Sequence, residues 1–315
     1  MDRIDWAGAA AAEREAALAR PASSTSDELL ARVDRIIEQV RADGDGALRA
    51  LTRRFDGCEP AEFAVTREEF AAAESALGDD LKQAIDDSRR RIERFHRETR
   101  PQPIALSTAP GVMCERLPLP VVRVGLYVPA GSAPLPSTAL MLCVPAKLAG
   151  CRQIVLCTPP RADGSADPAV LYAARACGVD TVFKLGGVQA VAAMAFGTAS
   201  VPRCDKLYGP GNAYVTAAKL RVSQQPGGPA IDMPAGPSEV LVVADAIADA
   251  EFVAADLLSQ AEHGHDSQAL LVTPSVELVE TVDEALRELL QTLSRAGHAD
   301  LALANSRAIL VEDLV

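Results

Sequence analysis

The chain has 315 residues, enough for about two domains of ordinary size. Its 43 acidic and 31 basic residues give a formal net charge of −12, which argues against a nucleic-acid partner or an anionic membrane, since both select a concentrated basic surface. Hydrophobic residues make up 49% of the chain, as in globular proteins. Seven cysteines without a CxxC pair, no apolar run of membrane-spanning length and no signal peptide predict a cytoplasmic protein with reduced thiols.

The first hundred residues have the pattern of helices. Two capping-box sequences, which begin at Thr25 and Thr66, each precede apolar residues at helical spacing. The arginines between Arg89 and Arg94 are expected on a solvated helix face, because acidic residues lie nearby and no aromatic residues are interleaved with them. We therefore expect no functional site in this part of the chain.

After Pro101 short apolar strands alternate with helices. Strands are predicted at 121–128, 154–157, 181–184, 206–208, 240–243, 269–272 and 308–311, and helices at 138–148, 188–196, 250–260 and 276–293, with two more that begin at Pro168 and after Asn212. A Gln/Pro/Gly stretch at 224–229 is consistent with a linker or a flexible loop. This alternation predicts βαβ units and parallel sheets, so the pattern favours two α/β units after a helical segment.

Four loops beside predicted strands combine glycine or proline with a polar side chain: Tyr127–Gly131, Leu185–Gln189, Tyr208–Asn212 and Asp232–Glu239. Ligands of open α/β sheets bind beyond the carboxyl ends of strands, where loops lead into helices. Each loop alone is most simply a turn, and none matches the GxGxxG dinucleotide pattern. Their recurrence beside strands favours a cofactor or substrate cleft.

A polar cluster that begins at Ser259 contains His263 and His265, two of the four histidines. If the helix continues to Gly264, Gln260 and His263 share a face at i and i+3. An imidazole and an amide oxygen can hold zinc, although two groups do not complete a tetrahedral site. A polar helix end, where the helix dipole favours histidine, accounts for the same residues equally well.

Five segments between Gly125 and Leu271 resemble the histidinol dehydrogenase family, in that family's order. They are GLYVPAGSAPLPSTALMLCVPAKLAGC, KLGGVQAVAAMAFGT, LYGPGNAYVTAAKLRV, IDMPAGPSEVLVVAD and ADLLSQAEHGHDSQALL. The resemblance implies an NAD-dependent and zinc-dependent oxidation of L-histidinol to L-histidine through L-histidinal, the last steps of histidine biosynthesis. It also implies a homodimer whose only other partner is this small substrate.

For the fold, the resemblance and the composition breaks together predict two incomplete Rossmann-like parallel-sheet domains with an N-terminal helical segment. The helical segment is expected at 1–22, and a discontinuous first domain at 23–126 and 234–315. The second, NAD-binding domain is expected at 127–233.

The resemblance also implies roles for individual side chains. Tyr127, Gln189 and Asn212 would contact NAD. Ser238, Gln260 and His263 would contact histidinol, and the last two would also bind zinc.

One departure from the family pattern lies at the end of the chain. The family's Glu–His pair for acid/base catalysis, and further zinc ligands, follow an ILVEDL-like segment that here ends one residue before Val315. We therefore expect a C-terminally truncated form without catalytic residues of its own, with weak zinc binding and poor turnover. Two alternatives are a related dehydrogenase for another small amino or hydroxy alcohol, and a catalytically silent binding or scaffold protein.

Overall fold

The computed structural model describes residues 1–19, 26–130, 133–234, 239–264, 267–293 and 295–314. Its strands are β1 (Asp2–Asp5), β2 (Ile104–Ala109), β3 (Val112–Arg116), β4 (Arg123–Tyr127), β5 (Gln153–Thr158), β6 (Val182–Lys184), β7 (Lys206–Tyr208), β8 (Ala230–Ile231), β9 (Glu239–Val243), β10 (Gln268–Thr273) and β11 (Arg307–Leu310). Its helices are α1 (Ala11–Leu18), α2 (Asp27–Asp43), α3 (Asp45–Phe55), α4 (Arg67–Ala76), α5 (Asp79–Glu98), α6 (Pro136–Ala149), α7 (Pro168–Ala176), α8 (Gly187–Phe196), α9 (Ala213–Ser223), α10 (Ala250–Ala261), α11 (Val276–Thr292) and α12 (Ala296–Ala304). None of these helices is long and apolar enough to cross a membrane.

The chain packs as two compact units. The discontinuous unit comprises Met1–Ser24 and Ala235–Val315, and the inserted unit comprises Thr25–Pro234. Both contain parallel sheets, so the α/β fold class predicted from the sequence is confirmed.

The inserted unit is built on a five-stranded parallel sheet with the order β6-β5-β4-β7-β8. Along β4 the side chains alternate: Val124 and Leu126 pack with α4 to α7, and Tyr127 packs on the opposite face with α2, α3, α8 and α9. Helices therefore cover both faces of the sheet, which is the usual condition for a stable parallel sheet, since its strands are apolar on both sides.

The discontinuous unit contains a four-stranded parallel sheet with the order β1-β11-β10-β9. The sheet begins with the first residues of the chain, because Ile4 of β1 aligns with Ile309 of β11. Helices α10, α11 and α12 supply most of the apolar core beside it, with Leu257 and Val282 fully buried.

The predicted domain limits need correction at the N-terminal side. The segment expected at 1–22 as purely helical contains β1, which pairs with β11. The limit at 126/127 would cut β4, and residues 25–126 belong with the inserted unit instead of with 234–315. The physical reason is that α2 to α5 pack on α6 to α9, the helices that cover the five-stranded sheet. The second limit, predicted at 233/234, lies at 234/235 in the structure.

Several elements were not predicted. The strands β2 and β3 form an antiparallel hairpin whose residues are all exposed, and β1, β8 and α12 also lacked a clear sequence signal. The stretch at 224–229 is a loop between α9 and β8, within the inserted unit.

Candidate functional site

The order of the five-stranded sheet sets where a ligand can bind. From β4 the chain proceeds outward to β5 and β6, then returns to the other side of β4 to form β7 and β8. Loops that leave β4 and β7 therefore diverge to opposite faces, and open α/β sheets bind ligands at such a switch point, beyond the carboxyl ends of the strands. These two strand ends are Tyr127 and Tyr208.

A cavity of about 710 Å³ lies in the inserted unit and is lined by the first residues of α8 and α9, by one face of α2 and by the end of α3. Its lining residues are Arg32, Arg35, Ile36, Gln39, Arg54, Phe55, Asp56, Gly187, Val188, Gln189, Asn212 and Tyr214. The volume is in the range of small-molecule and cofactor sites. Two of the residues predicted to contact NAD, Gln189 and Asn212, thus line one cavity.

The third predicted NAD contact, Tyr127, is the last residue of β4 and is 5% exposed. Its hydroxyl oxygen accepts a hydrogen bond of 3.0 Å from the backbone N–H of Gly187, which lines the cavity. Burial raises the pKa of Tyr127 to about 12, so the hydroxyl stays protonated at neutral pH. In this position Tyr127 fixes the start of α8.

The side chain of Gln189 is held by a carboxylate. Its amide nitrogen donates to Oδ2 of Asp56 at 3.4 Å, and the residue is 2% exposed. Burial raises the pKa of Asp56 to about 6, so this carboxyl group changes charge in the weakly acidic range.

Asn212 is the N-cap of α9. Its side-chain oxygen accepts a hydrogen bond of 3.2 Å from the backbone N–H of Val215, which satisfies one unpaired donor of the helix start. The amide NH₂ of Asn212 is then the part of the side chain that can donate to a ligand.

The loop between β7 and α9 is fixed tightly against β4. Gly209 has a φ of +131°, and a Cβ atom there would lie 2.1 Å from the carbonyl oxygen of Tyr127, so only glycine fits. The buried Lys219 donates to the carbonyl oxygen of Gly209 at 2.8 Å and pairs with Asp232. Asp232 in turn accepts from the N–H of Gly209 at 2.9 Å. These contacts hold both strand ends of the switch point in one arrangement.

The predicted metal ligands lie in the discontinuous unit, at the end of α10. Gln260 is in the last turn of the helix, and the N–H of His263 donates to its carbonyl oxygen at 3.1 Å. The Gln260 side chain donates to Oγ of Ser267 at 3.5 Å, so its amide oxygen is the atom left for a metal. His263 is exposed to solvent. The described residues include no group of three or more His, Cys, Asp or Glu arranged to hold a metal ion. Ser238 and His265 lie outside the described residues.

The sequence missed the contribution of the helical first third, where we expected no functional site. Arg32, Arg35 and Gln39 line the cavity from α2, and Arg54 and Asp56 line it from the end of α3. The signal was present, because positions 32, 35, 36 and 39 are spaced i, i+3, i+4 and i+7 and so occupy one helix face. From the sequence alone, basic residues on one face of an amphipathic helix cannot be distinguished from an ordinary solvent-exposed face. The packing of the neighbouring elements is needed to show that this face lines a cavity.

A parallel sheet with helices on both faces and a cavity lined by the starts of two of those helices defines an α/β protein with a candidate ligand site. Comparison with known proteins identifies the family. The family model described as "Histidinol dehydrogenase" matches residues 19–315, so the chain belongs to the histidinol dehydrogenase family.

Individual relatives agree with this assignment. Histidinol dehydrogenase of Xanthomonas euvesicatoria pv. vesicatoria (strain 85-10) is 59% identical over 314 residues, and the match covers 100% of this chain and 73% of that protein. Histidinol dehydrogenase of Vibrio cholerae serotype O1 is 52% identical over 314 residues, with 72% of that protein covered. The crystal structure of histidinol dehydrogenase from Elizabethkingia anophelis superimposes with a TM-score of 0.92 at 42% identity, and the match covers 99% of this chain and 71% of that one. The chain is therefore an oxidoreductase of amino-acid biosynthesis.

Proposed function

We propose that this protein oxidises L-histidinol to L-histidine through L-histidinal, with NAD as the hydride acceptor and zinc as a bound metal. The observation that carries the proposal is the cavity where Gln189 and Asn212 meet, in a chain of the histidinol dehydrogenase family. NAD⁺, held by Gln189 and Asn212, would supply the hydride acceptor for both oxidations. The oxidation of the alcohol to the aldehyde would release one hydride and one proton, and that of the hydrated aldehyde to the carboxylate one hydride and two protons.

The cavity of the inserted unit is the proposed cofactor site. NAD, when bound, supplies the nicotinamide that accepts the hydride. Gln189 offers an amide whose orientation is set by Asp56, and Asn212 offers its NH₂ group at the start of α9. Tyr127 keeps the start of α8 in place through Gly187, so it supports the site from the side of the sheet.

The end of α10 is the proposed zinc and substrate site. The amide oxygen of Gln260 and the imidazole of His263 would supply two of the four donors of tetrahedral zinc, and both donor types suit this borderline metal. Because the amide nitrogen of Gln260 donates to Ser267, the amide oxygen is the atom that would bind the metal. Bound zinc would hold the imidazole and amine of histidinol and orient its alcohol without taking part in the redox step. Ser238 is proposed as a further histidinol contact.

We also propose that the protein works as a homodimer in the cytoplasm. All seven cysteines are free thiols, which suits a reducing compartment. Size-exclusion chromatography with light scattering measures the molar mass of the protein in solution. The mass of a monomer at micromolar concentration would contradict the dimer.

The test of the function is the oxidation assay on the purified 315-residue chain. With L-histidinol, NAD⁺ and zinc we expect NADH to form slowly, in a ratio of two per histidinol consumed, with histidine as the product. Substituting His263→Ala should lower zinc content and activity together, because an imidazole ligand is lost. The matched control is His298→Ala, which removes an exposed histidine of the same unit on α12. Metal content is measured by mass spectrometry.

Each other outcome rejects part of the proposal. A chain that binds NAD⁺ and histidinol but forms no NADH would favour the silent binding protein. Oxidation of another amino or hydroxy alcohol in preference to histidinol would favour the related dehydrogenase. Equal zinc loss in both histidine variants would reject His263 as a ligand.

A further inference from the structure

The cavity in the inserted unit carries a local excess of positive charge. Its lining holds three arginines, Arg32, Arg35 and Arg54, against one carboxylate, Asp56. The chain as a whole has a formal net charge of −12. Guanidinium groups concentrated in one cavity of an acidic protein raise the local concentration of anions there. The charge distribution therefore points to an anionic ligand.

Two of these arginines are not neutralised by acidic neighbours. On α3, Arg53 pairs with Glu59, whereas the adjacent Arg54 has no carboxylate within 4.0 Å among the described residues. The same holds for Arg35 on α2 over that part of the chain, and its guanidinium nitrogen Nε donates to the helix backbone. The guanidinium of Arg54 lies 5.1 Å from the ring centroid of Phe55, an arrangement that orients the group without reducing its charge. Both charges are thus available to a ligand.

The starts of two helices add to this charge. Helix α8 begins at Gly187, whose N–H donates to Tyr127, and its N-cap residue Gly186 supplies no side-chain cap. The next two residues of the helix, Val188 and Gln189, line the cavity. Asn212 at the start of α9 lines the same cavity. Helix N-termini carry a partial positive charge and favour phosphate groups. Here they combine with arginines from two other helices.

The kind of anion follows from the geometry of these groups. A guanidinium group presents a planar fork of donors that matches two phosphate oxygens, and several guanidinium groups in one cavity suit more than one phosphate. The cavity also contains aromatic surface, since Phe55 is 51% exposed and Tyr214 is 36% exposed, which suits the flat ring of a base.

We propose that Arg35 and Arg54 bind the diphosphate of the dinucleotide cofactor. This assignment rests on the proposed NAD site and adds to it two arginines from the helical first third of the chain. The arginines act in binding and take no part in the hydride transfer.

The experiment compares Arg35→Gln and Arg54→Gln with two control variants that make the same change of charge. The controls are Arg41→Gln on α2, which pairs with Glu38, and Arg53→Gln on α3. Calorimetric titration with NAD⁺, inorganic pyrophosphate and adenosine is carried out at about 0.05 M and about 0.5 M NaCl. Thermal unfolding by circular dichroism verifies that each variant is folded.

We expect Arg35→Gln and Arg54→Gln each to weaken NAD⁺ binding about 10-fold at low salt, since each removes a charge-assisted contact. The affinity for pyrophosphate should fall in parallel and that for adenosine should not change. The double variant should lose most of the salt dependence of NAD⁺ binding, because fewer ionic contacts remain to be screened. Both controls should bind like the unmodified chain.

The outcomes separate this inference from the proposed function. If the chain binds NAD⁺ and the cavity variants behave like the controls, the arginine assignment is overturned and the NAD site stands. If pyrophosphate binds in an arginine-dependent manner and NAD⁺ does not, the cofactor proposal is rejected and the anion site stands. If neither NAD⁺ nor pyrophosphate binds, both are rejected.

Discussion

Two aspartates of the inserted unit illustrate how single residues respond to their surroundings. Burial raises the pKa of Asp56, beside the cavity, to about 6. Burial by itself would also raise the pKa of Asp45, but hydrogen bonds from Ser200 and Thr198 outweigh it and lower the pKa. The hydroxyl of Ser200 donates to Asp45 at 2.6 Å. The same side chain is therefore destabilised in its charged form at one site and stabilised at the other.

We predict that Asp56→Asn stabilises the protein at neutral pH. Since the folded pKa of Asp56 lies above the unfolded value, the folded state binds more protons between about pH 4 and pH 6, and the ionised carboxyl lowers stability above that window. The variant should gain about 1 kcal/mol at about pH 7, less than the full shift implies because Asp56 is partly exposed and solvent screens its charge. The asparagine oxygen can still accept from Gln189. Urea unfolding across this pH range measures the gain.

The control is Asp45→Asn, for which the expected change in stability at neutral pH has the opposite sign. The folded pKa of Asp45 lies below the unfolded value, so its carboxylate contributes stability above the unfolded pKa, and this is lost as pH falls through the folded pKa. Asp45→Asn should therefore be less stable than the unmodified chain at neutral pH, and the difference should shrink in acid. If the stability of the unmodified chain and that of Asp56→Asn change with pH in parallel, Asp56 has the same pKa in the folded and unfolded states, and the prediction is wrong.

Single residues were predictable where their chemistry is local. The sequence identified the amides of Gln189 and Asn212 at helix starts, and the structure brings both to one cavity. It did not identify Asp56, because the residue lies at the end of α3 and its contact with Gln189 joins positions 133 residues apart. Local sequence carries no information on such a distant contact.

At the scale of elements, burial decided which strands the sequence revealed. The strand β5 contains the buried apolar run 154–157, so it has a clear sequence signal. The hairpin of β2 and β3 is exposed along its whole length, so no buried face imposed a period of two on its sequence. The strand β8 has only two residues, and β1 buries only Ile4. Each of these strands is held by hydrogen bonds to a neighbouring strand, and the sequence of the strand itself does not indicate that partner.

A charge pair joins α4 to β6, and its loss should destabilise the protein. Glu69 on α4 accepts a hydrogen bond of 2.6 Å from Lys184, the last residue of β6, which is 5% exposed. Glu69 also completes the capping box with Thr66. We predict that Glu69→Gln, which keeps an oxygen for the cap, destabilises the protein by about 3 kcal/mol because Lys184 remains buried and unpaired. Urea unfolding gives the value.

The matched control is Glu68→Gln, the same substitution one residue earlier at an exposed position of α4, which should destabilise the protein much less than Glu69→Gln does. Thr66→Ala isolates the cap, with an expected loss of about 1 kcal/mol. The double variant Glu69→Gln with Lys184→Met should recover part of the stability, since it removes the unpaired charge. If Glu69→Gln resembles Glu68→Gln, the pair contributes nothing to stability.

At the scale of the whole molecule, the sequence predicted two α/β units with limits at 126/127 and 233/234, whereas the contacts divide the chain at 24/25 and 234/235 and place 25–126 in the inserted unit. Composition breaks at Pro101 and after residue 223 suggested the limits. The helices before Pro101 are amphipathic in a way that fits any apolar surface, so the sequence could not tell which unit they belong to. Only their packing on α6 to α9, which cover the five-stranded sheet, decides it.

The division into two units predicts that NAD and zinc stabilise different parts of the chain. A ligand that binds only the folded form of a unit lowers the population of the opened form, by about 100-fold at 100 times its Kd, and so slows hydrogen exchange in that unit. In hydrogen exchange followed by mass spectrometry, NAD⁺ should protect the starts of α8 and α9 in the inserted unit. Zinc should protect the end of α10 and the start of β10 in the discontinuous unit. Gln189→Ala should remove only the first effect and His263→Ala only the second, because each ligand is assigned to residues of one unit. Protection of α8 by zinc alone would contradict separate sites and show that the two units open together.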